Sequence, residues 1–275
     1  MEWDACWLPA GDVPETLTTP PQIASWELRQ QGAECALTVE KSMGDAYEIV
    51  DTSGKYRIRG GETGVLYGTY RLLVSRRAGL PLPKGVRAPA LPLRTLDHWD
   101  NLDGTVECGY AGASLFFQNG AVTADRARLR AYARLLASVS VNAVCLNNVR
   151  VRPAAHALLT PRLLPALGEL AALFGAFGIR LMIAVDPGMP RACGLPTADP
   201  ADGRVRAWWR ERAALTYRYV PSLLGFLAQA ASDGGPGPDA RYCVREANML
   251  ARALQPHGGT LVWRCRACGG GLARR

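Results

Sequence analysis

The chain has 275 residues, of which 48% are hydrophobic and 20% charged, a balance typical of a globular protein with a sizeable core. No stretch reaches the roughly 18 consecutive apolar residues that a membrane span needs, and the N-terminus MEWDACWLPAGD does not resemble a secretory signal. The sequence therefore predicts a cytoplasmic protein that makes no contact with a membrane.

The net charge is +8, and nearly all of the positive charge comes from arginine. These arginines are dispersed with acidic residues between them, as in RVRAWWRERAALTYRYV, and form no compact basic stripe interleaved with aromatic residues. Such a stripe is the electrostatic signature of nucleic-acid binding. We therefore expect no nucleic-acid partner. A solvated surface is the best explanation of the arginines, and an anionic small substrate explains them as well as nucleic acid would.

The first part of the chain has the pattern of a small α/β domain. Short strand patterns at 47–50 and 56–58 precede a helix pattern at 64–74, where apolar residues recur at helical spacing. The prolines of PLPKGVRAPALPL, residues 81–93, cannot lie inside a helix and favour extended chain. The predicted segments are a small α/β N-terminal domain at 1–82, a proline-rich linker at 83–92 and a larger α/β domain at 93–275.

Strand and helix patterns alternate in the larger domain. Its strands are short, continuous apolar runs, which is typical of parallel strands buried on both faces. The alternation predicts either a barrel or an open doubly wound sheet. No GxGxxG or GxxxxGK[ST] motif is present, so the nucleotide-binding sheets lose their main support. The predicted strands are 93–96, 143–146, 179–185, 223–227 and 260–263; the helices are 124–138, 161–177 with Thr160 as its N-cap, 205–219 and 245–254.

A barrel places its binding groups just after the C-terminal ends of its strands. Polar residues follow all five predicted strands: Asp97 to Asp100, then Asn147 and Asn148, then Asp186, then Gln229, Ser232 and Asp233, and finally Arg264. Solvent-exposed loops are also polar, so this pattern favours a barrel without deciding it. Because a full barrel takes about 250 residues, the sequence predicts an incomplete (β/α)8 TIM-type barrel of about five βα units.

The loop after the first of these strands, in LRTLDHWDNLDGTVECGYAG, has the composition of a carbohydrate site. Asp100, Asn101, Asp103 and Glu107 offer acceptors for hydroxyl groups beside the indole of Trp99. An indole face is the apolar plate on which the C–H face of a sugar ring packs. The alternative is a polar loop with an incidental tryptophan.

The eight cysteines are scattered, and Cys265-Arg-Ala-Cys268 is the one CxxC motif. A structural zinc site needs a second pair of ligands, and His257 is the only histidine nearby. We therefore expect neither a metal nor a cofactor.

Several segments resemble one known family. In chain order they are GVLYGTYRLL, HWDNLDGTVE followed by GYAG, YARLLASVSVNAVCLNNV, GIRLMIAV, TADPADGRVRAWW, ASDGGPGP, ANMLARAL and PHGGTLVWRC. On these segments the chain resembles the α-glucuronidases of glycoside hydrolase family 67, which remove α-1,2-linked glucuronic or 4-O-methylglucuronic acid from xylo-oligosaccharides. The family fold, a small α/β domain followed by a (β/α)8 catalytic barrel, implies that 93–275 is the first part of that barrel.

The resemblance also implies roles for individual residues. The family inverts configuration, and its general acid is a glutamate at the position of Asp233. Where the family has a uronate-binding lysine, this chain has Gln229. Where the family has an aspartate and, after Glu107, an arginine, this chain has Ala231 and Cys108. Arg264 matches the arginine of the family that contacts the sugar acid, and a guanidinium group can donate two parallel hydrogen bonds to a carboxylate. The catalytic base lies on later strands, beyond Arg275.

These correspondences predict a fragment of a xylan α-glucuronidase that is inactive as given. Its substrate would be an aldouronic oligosaccharide, and the full-length relatives would be homodimers. The alternative is a degenerate homologue that binds acidic oligosaccharides without catalysis, or binds nothing. A structural role explains Trp99 and Glu107 equally well. For Arg264 and Asp233 the less favoured alternatives are a surface residue and a turn residue. The predicted catalytic residue is Asp233, and the predicted substrate-binding residues are Arg264, Gln229, Trp99, Asp100, Glu107 and Asn148.

Overall fold

A computed structural model describes residues 11–229 and 240–264. Helices and strands alternate along most of this range. In chain order they are α1 (Pro20–Gln30), β1 (Cys35–Val39), β2 (Tyr47–Thr52), β3 (Lys55–Gly60), α2 (Glu62–Ala78), β4 (Thr95–Asp97), β5 (Phe117–Gln118), β6 (Ala121–Val122), α3 (Arg126–Ser138), β7 (Ala143–Leu146), α4 (Leu164–Gly175), β8 (Arg180–Val185), α5 (Met189–Ala192), α6 (Gly203–Tyr219), β9 (Gly225–Gln229), α7 (Ala240–Leu254) and β10 (Thr260–Arg264).

The chain divides into two compact units, each assembled from three segments. The domain boundaries expected at 82 and 93 stay a prediction. Unit 1 comprises Met1–Asp97, Thr123–Val144 and Gly168–Leu181, and unit 2 comprises His98–Val122, Cys145–Leu167 and Met182–Arg275.

Unit 1 contains a three-stranded sheet in the order β1-β3-β2, with β1 parallel and β2 antiparallel to β3. Ile58 of β3 is fully buried and belongs to one core cluster with Leu28 of α1 and Val65 of α2. Helix α1 begins after Thr19, whose N–H donates to Gln22 Oε1 at 3.1 Å. This bond satisfies a donor that the helix itself leaves free. Burial of the apolar faces of α1 and α2 against the sheet holds this layer together.

A five-stranded sheet has the order β10-β9-β8-β7-β4, so its strands follow one another in chain order, with only the separate β5–β6 pair between β4 and β7 in sequence. The sheet is parallel and curled, and its central strands are buried: all four residues of β7 and five of the six in β8. A mixed α/β fold with a parallel sheet of doubly buried strands is therefore confirmed. This curled sheet is consistent with part of a barrel.

Several predicted boundaries differ from the structure by two to five residues. Strand β9 begins at Gly225 and continues to Gln229, because its pairing with β10 runs to the last residue of both strands. The prediction that Thr160 caps a helix beginning at residue 161 was wrong. Helix α4 begins at Leu164, and the Thr160 hydroxyl donates to Ala157 O at 2.7 Å, closing the preceding turn instead.

The first residue of β9 has a backbone that excludes a side chain. Gly225 has φ +149°, and a Cβ added there would lie 1.8 Å from the carbonyl oxygen of Thr260. Thr260 is its register partner at the start of β10. Because two backbones touch at this point, glycine is required.

Among the described residues, no single helix is long and apolar enough to cross a membrane. The 3-10 helix Pro153–Leu159 and α4 meet the length and composition criteria only as a pair, which is bent by 71°.

Candidate functional site

Five of the predicted site residues lie at or just after the C-terminal ends of four of the five sheet strands. Trp99 and Asp100 follow β4, and Asn148 follows β7. Gln229 and Arg264 are the last residues of β9 and β10 and are register partners. Because register partners in a parallel pair project to the same face, these two side chains are neighbours. The sequence thus predicted which positions lie along this edge.

Two buried amides hold the loop after β4 in place. Asn101 and Asn148 are 2% and 3% exposed, and Asn148 Nδ2 donates to Asn101 Oδ1 at 3.2 Å. Both side chains also donate to the carbonyl oxygen of Glu107, at 3.0 and 3.2 Å. Asn148 Oδ1 accepts from the N–H of Arg150 at 2.9 Å. Such a satisfied network fixes one loop conformation.

Glu107 itself adopts a backbone conformation that few residues other than glycine take up, with φ +55°. Two amides and the Arg152 guanidinium, at 3.4 Å, donate to its carbonyl oxygen and hold it there. Its carboxylate atom Oε2 is buried without a hydrogen-bond partner in the described part of the chain. The next residue, Cys108, is exposed.

The Asp100 carboxylate is directed into the same loop. It is 4% exposed and accepts from the Ser114 hydroxyl and from the N–H of Leu115 at 2.9 Å. His98 lies beside it, with Nδ1 at 3.9 Å from Asp100 Oδ1, and its ring packs edge-on against Phe116 at 4.8 Å between centroids. These contacts order the loop on which Trp99 lies.

Asp103 forms an ion pair at the exposed side of the loop. Its Oδ2 lies 2.9 Å from Nη1 of Arg152. Hydrogen bonds from the hydroxyl and N–H of Thr105 lower the pKa of Asp103, and Arg152 adds to this effect. The carboxylate therefore stays ionised.

Trp99 and Arg264 are in direct contact. The guanidinium carbon of Arg264 lies 4.8 Å from the centroid of the Trp99 ring. Both side chains are partly buried. A cation stacked on an indole face is attracted by the ring quadrupole.

A second polar cluster in unit 2 surrounds Asp186, which the sequence placed at a strand end; its other members, His156 and Glu246, were missed. Asp186 comes directly after β8, and its Oδ2 lies 3.4 Å from Nε2 of His156. Its Oδ1 accepts a hydrogen bond from the N–H of Gly188 at 2.8 Å. Glu246 of α7 is 3% exposed. Burial raises its pKa to about 7, and the charge of Asp186 adds to this. Glu246 is spaced at helical intervals from Met249 and Leu250, so it lies on the apolar helix face, a signal readable in the sequence.

Three of the predicted sites lie outside the described residues: the Asp233 position of the general acid, Ala231 before it, and the Cys265–Cys268 motif. Within 11–229 and 240–264, no three His, Cys, Asp or Glu side chains are arranged to hold a metal ion.

Sequence comparison places these strand ends in a known family. The family model described as "Glycosyl hydrolase family 67 middle domain" matches residues 78–268. The chain belongs to glycosyl hydrolase family 67.

Curated relatives of this family 67 chain carry the name alpha-glucuronidase A. The protein from Aspergillus tubingensis is 40% identical over 229 residues, which is 82% of this chain and 26% of the relative. "Probable alpha-glucuronidase A" from Aspergillus niger is also 40% identical, over 226 residues, covering 80% of this chain and 26% of the relative. The chain thus spans about a quarter of the length of these relatives.

Solved structures of other glycoside hydrolases share the fold. A family 20 β-N-acetylglucosaminidase superimposes with a TM-score of 0.56 at 13% sequence identity, covering 93% of this chain and 63% of that one. At this identity the likeness shows the fold alone.

Replacement of Asn148 by alanine is expected to destabilise the protein through the loop after β4. It removes three hydrogen bonds and leaves Asn101 Oδ1 and the Arg150 N–H without their partner. The expected loss is about 2 kcal/mol in the free energy of unfolding, measured with urea. Gln118→Ala removes an exposed amide from strand β5 and should change stability by less than about 0.5 kcal/mol. Equal losses in the two variants would contradict the role of the network.

Proposed function

We propose that this family 67 chain is the part of an α-glucuronidase that binds the uronic acid. The reaction is inverting hydrolysis of α-1,2-linked glucuronic or 4-O-methylglucuronic acid on xylo-oligosaccharides derived from glucuronoxylan. The observation that carries the proposal is the family match over residues 78–268, in a chain 40% identical to relatives named alpha-glucuronidase A. The curled sheet is then part of a (β/α)8 barrel that follows a small N-terminal domain.

Arg264 is the residue that would bind the substrate carboxylate. It lies at the end of a barrel strand, where such folds bind substrate, and its planar guanidinium pairs with a carboxylate through two parallel hydrogen bonds. Its register partner Gln229 would add a hydrogen-bond donor without a charge. Trp99, Asp100, Glu107 and Asn148 would shape and order the wall beside this clamp.

Asp233 would be the general acid that protonates the leaving xylose oxygen while water attacks the anomeric carbon. Its side chain is one methylene shorter than the glutamate of the family, so the carboxyl falls about 1.5 Å short. A misplacement of this order costs about a hundredfold in rate. Inversion also requires a base roughly 6.5–9.5 Å away, which the family resemblance assigns to later strands. We therefore propose that a polypeptide of these 275 residues binds aldouronic acids without hydrolysing them.

The test uses aldotriouronic acid and the 275-residue polypeptide. We expect binding by calorimetry, no release of glucuronic acid over a day, and loss of binding in Arg264→Met. The Aspergillus tubingensis enzyme serves as the positive control for release. Release by this polypeptide would overturn the proposed inactivity, and absence of binding would overturn the proposed substrate.

A second candidate function is a degenerate homologue without a ligand. It is favoured by the exposed Cys108, at a position where the family resemblance has an arginine. Absence of any binding in the same calorimetric experiment is the result that this alternative predicts. The homodimeric state of full-length relatives and the cytoplasmic location stay predictions.

A further inference from the structure

The hairpin between β5 and β6 turns on an asparagine followed by a glycine. Gln118 pairs with Ala121 across the hairpin, so the turn consists of two residues, Asn119 and Gly120. Their φ angles are +51° and +77°. Positive φ at both central residues is typical of a type I′ turn, for which Asn-Gly is a preferred pair. Because Asn119 is exposed, its side-chain amide lies at the surface directly before a glycine nitrogen.

This pair of residues has a reactivity of its own. The backbone nitrogen after an asparagine can attack the side-chain carbonyl carbon: the N–H proton is lost, a new C–N bond closes a succinimide ring, and the side-chain nitrogen leaves as ammonia. Water then adds to one of the two ring carbonyls and opens the ring, which gives aspartate or isoaspartate. Glycine favours the attack because it has no Cβ beside the nitrogen. The reaction consumes only water and therefore needs neither an enzyme nor a cofactor.

Two hydrogen bonds hold the attacking residue in the folded hairpin. The N–H of Gly120 donates to the carbonyl oxygen of Leu102 at 2.9 Å. The carbonyl oxygen of Gly120 accepts from Nη1 of Arg162 at 3.3 Å. Leu102 is buried and Arg162 is exposed. Since the nitrogen must leave Leu102 before it can reach the Asn119 side chain, the turn has to open locally before the reaction starts.

We infer that Asn119 is a site of spontaneous deamidation whose rate is set by opening of the hairpin turn. Asn101 is the opposite case within the same part of the chain. It is 2% exposed, and its amide nitrogen donates to the Thr105 hydroxyl and to the carbonyl oxygen of Glu107, both at 3.0 Å. A leucine follows it, whose side chain shields the backbone nitrogen. Asn101 is therefore expected to stay an amide.

The product changes the hairpin itself. Isoaspartate carries the chain through the former side-chain carbon, so it adds one carbon to the backbone of a two-residue turn. A longer turn cannot keep both the register of β5 with β6 and the bond from Gly120 to Leu102. Aspartate and isoaspartate also both add a carboxylate to a cleft of about 410 Å³ that Asp103 and Arg162 line. Deamidation is therefore expected to loosen the hairpin from the loop after β4.

The first experiment follows the wild-type chain during storage at mildly alkaline pH. No arginine or lysine lies between Thr95 and Asp125, so one tryptic peptide, 95–126, contains both Asn101 and Asn119. By mass spectrometry of this peptide we expect a gain of one mass unit at Asn119 and none at Asn101. An isoaspartyl methyltransferase assay identifies isoaspartate independently of mass. The same chain denatured in guanidinium chloride should convert Asn119 about tenfold faster, because the turn is absent.

The second experiment tests the control of the rate by Arg162. Arg162→Met removes the hydrogen bond to the Gly120 carbonyl and should raise the rate at Asn119 in the folded chain about threefold. The rate in guanidinium chloride should not change. Arg191→Met removes an exposed arginine from α5 and should leave both rates as in the wild type. Circular dichroism verifies that both variants are folded.

Each part of the inference has a result that would overturn it. An unmodified Asn119 in the folded chain, or equal modification of Asn119 and Asn101, would show that the hairpin is not a modification site. Equal rates at Asn119 in the folded and denatured chains would overturn control by the turn. An unchanged rate in Arg162→Met would overturn the role assigned to this arginine.

Discussion

Replacing Arg134 by methionine is expected to lower the free energy of unfolding by about 3–5 kcal/mol. Arg134 of α3 donates from Nε and Nη2 to the two carboxylate oxygens of Glu27 in α1, at 2.6 and 2.7 Å. The Tyr70 hydroxyl of α2 donates to the same carboxylate at 2.9 Å. Glu27 is completely buried. Without the arginine, the buried carboxyl group of Glu27 loses two charge-assisted hydrogen bonds and keeps one neutral donor, which is strongly unfavourable.

Two further variants make this test specific. Arg126→Met, on the same helix, removes exposed ion pairs with Glu15 and Glu169 and should cost less than about 0.5 kcal/mol. The double variant Glu27→Leu with Arg134→Met removes both buried charges, and should recover much of the loss of the single variant. Urea unfolding followed by circular dichroism gives all three values. A loss below about 1 kcal/mol in Arg134→Met would contradict the buried pair.

The stability of the protein is expected to fall as the pH rises from about 4.5 to about 7, by up to about 3 kcal/mol, because of Glu246. Burial raises the pKa of this carboxyl to about 7 in the folded state, against an ordinary value of 4.5. Below about pH 4.5 the Glu246 carboxyl is protonated in both the folded and the unfolded state, so it does not lower the free energy of unfolding. Between the two values the unfolded state releases its proton first, so unfolding becomes easier; above 7 the effect is complete.

Glu246→Gln is the variant that tests this dependence, since glutamine has nearly the same shape and cannot ionise. Its stability should exceed that of the wild type at about pH 8 and approach it at about pH 4. Glu211→Gln removes an exposed carboxylate from α6 and should keep the pH profile of the wild type. Identical profiles of stability against pH for the wild type and Glu246→Gln would show that this carboxyl does not cause the pH dependence.

Local patterns in the sequence were sufficient to identify the larger sheet. The run Ala143–Leu146 was predicted as a strand and is one, because four adjacent apolar residues cannot form one face of a helix and are buried on both sides here. Helix α1 was not predicted, although Thr19 followed by Pro20 and then Gln22 is a readable helix start. The start of α4 was misplaced because a threonine before a proline fits both a cap and an ordinary turn.

The contacts between distant residues could not be read from the sequence. Glu27 and Arg134 each lie in a helix with other charged residues, and alone each one fits a solvent-exposed face; only tertiary packing pairs them. The same holds for Trp99, which follows the outer strand β4, and Arg264, which ends the outer strand β10. The sequence placed both at strand ends, but it contained no sign that the indole and the guanidinium are in contact.

Gly225 is at the start of the β9–β10 pair, and Gln229 and Arg264 are at its end. Its backbone touches that of Thr260, and the register established there continues without a bulge to Gln229 and Arg264. Any side chain at position 225 would have to push the outer strand outward or slide it along its neighbour. The pairing of Arg264 with Gln229 therefore depends on the absence of a side chain four residues earlier in β9. A substitution at Gly225 is therefore expected to displace Arg264, although the two residues are not in contact.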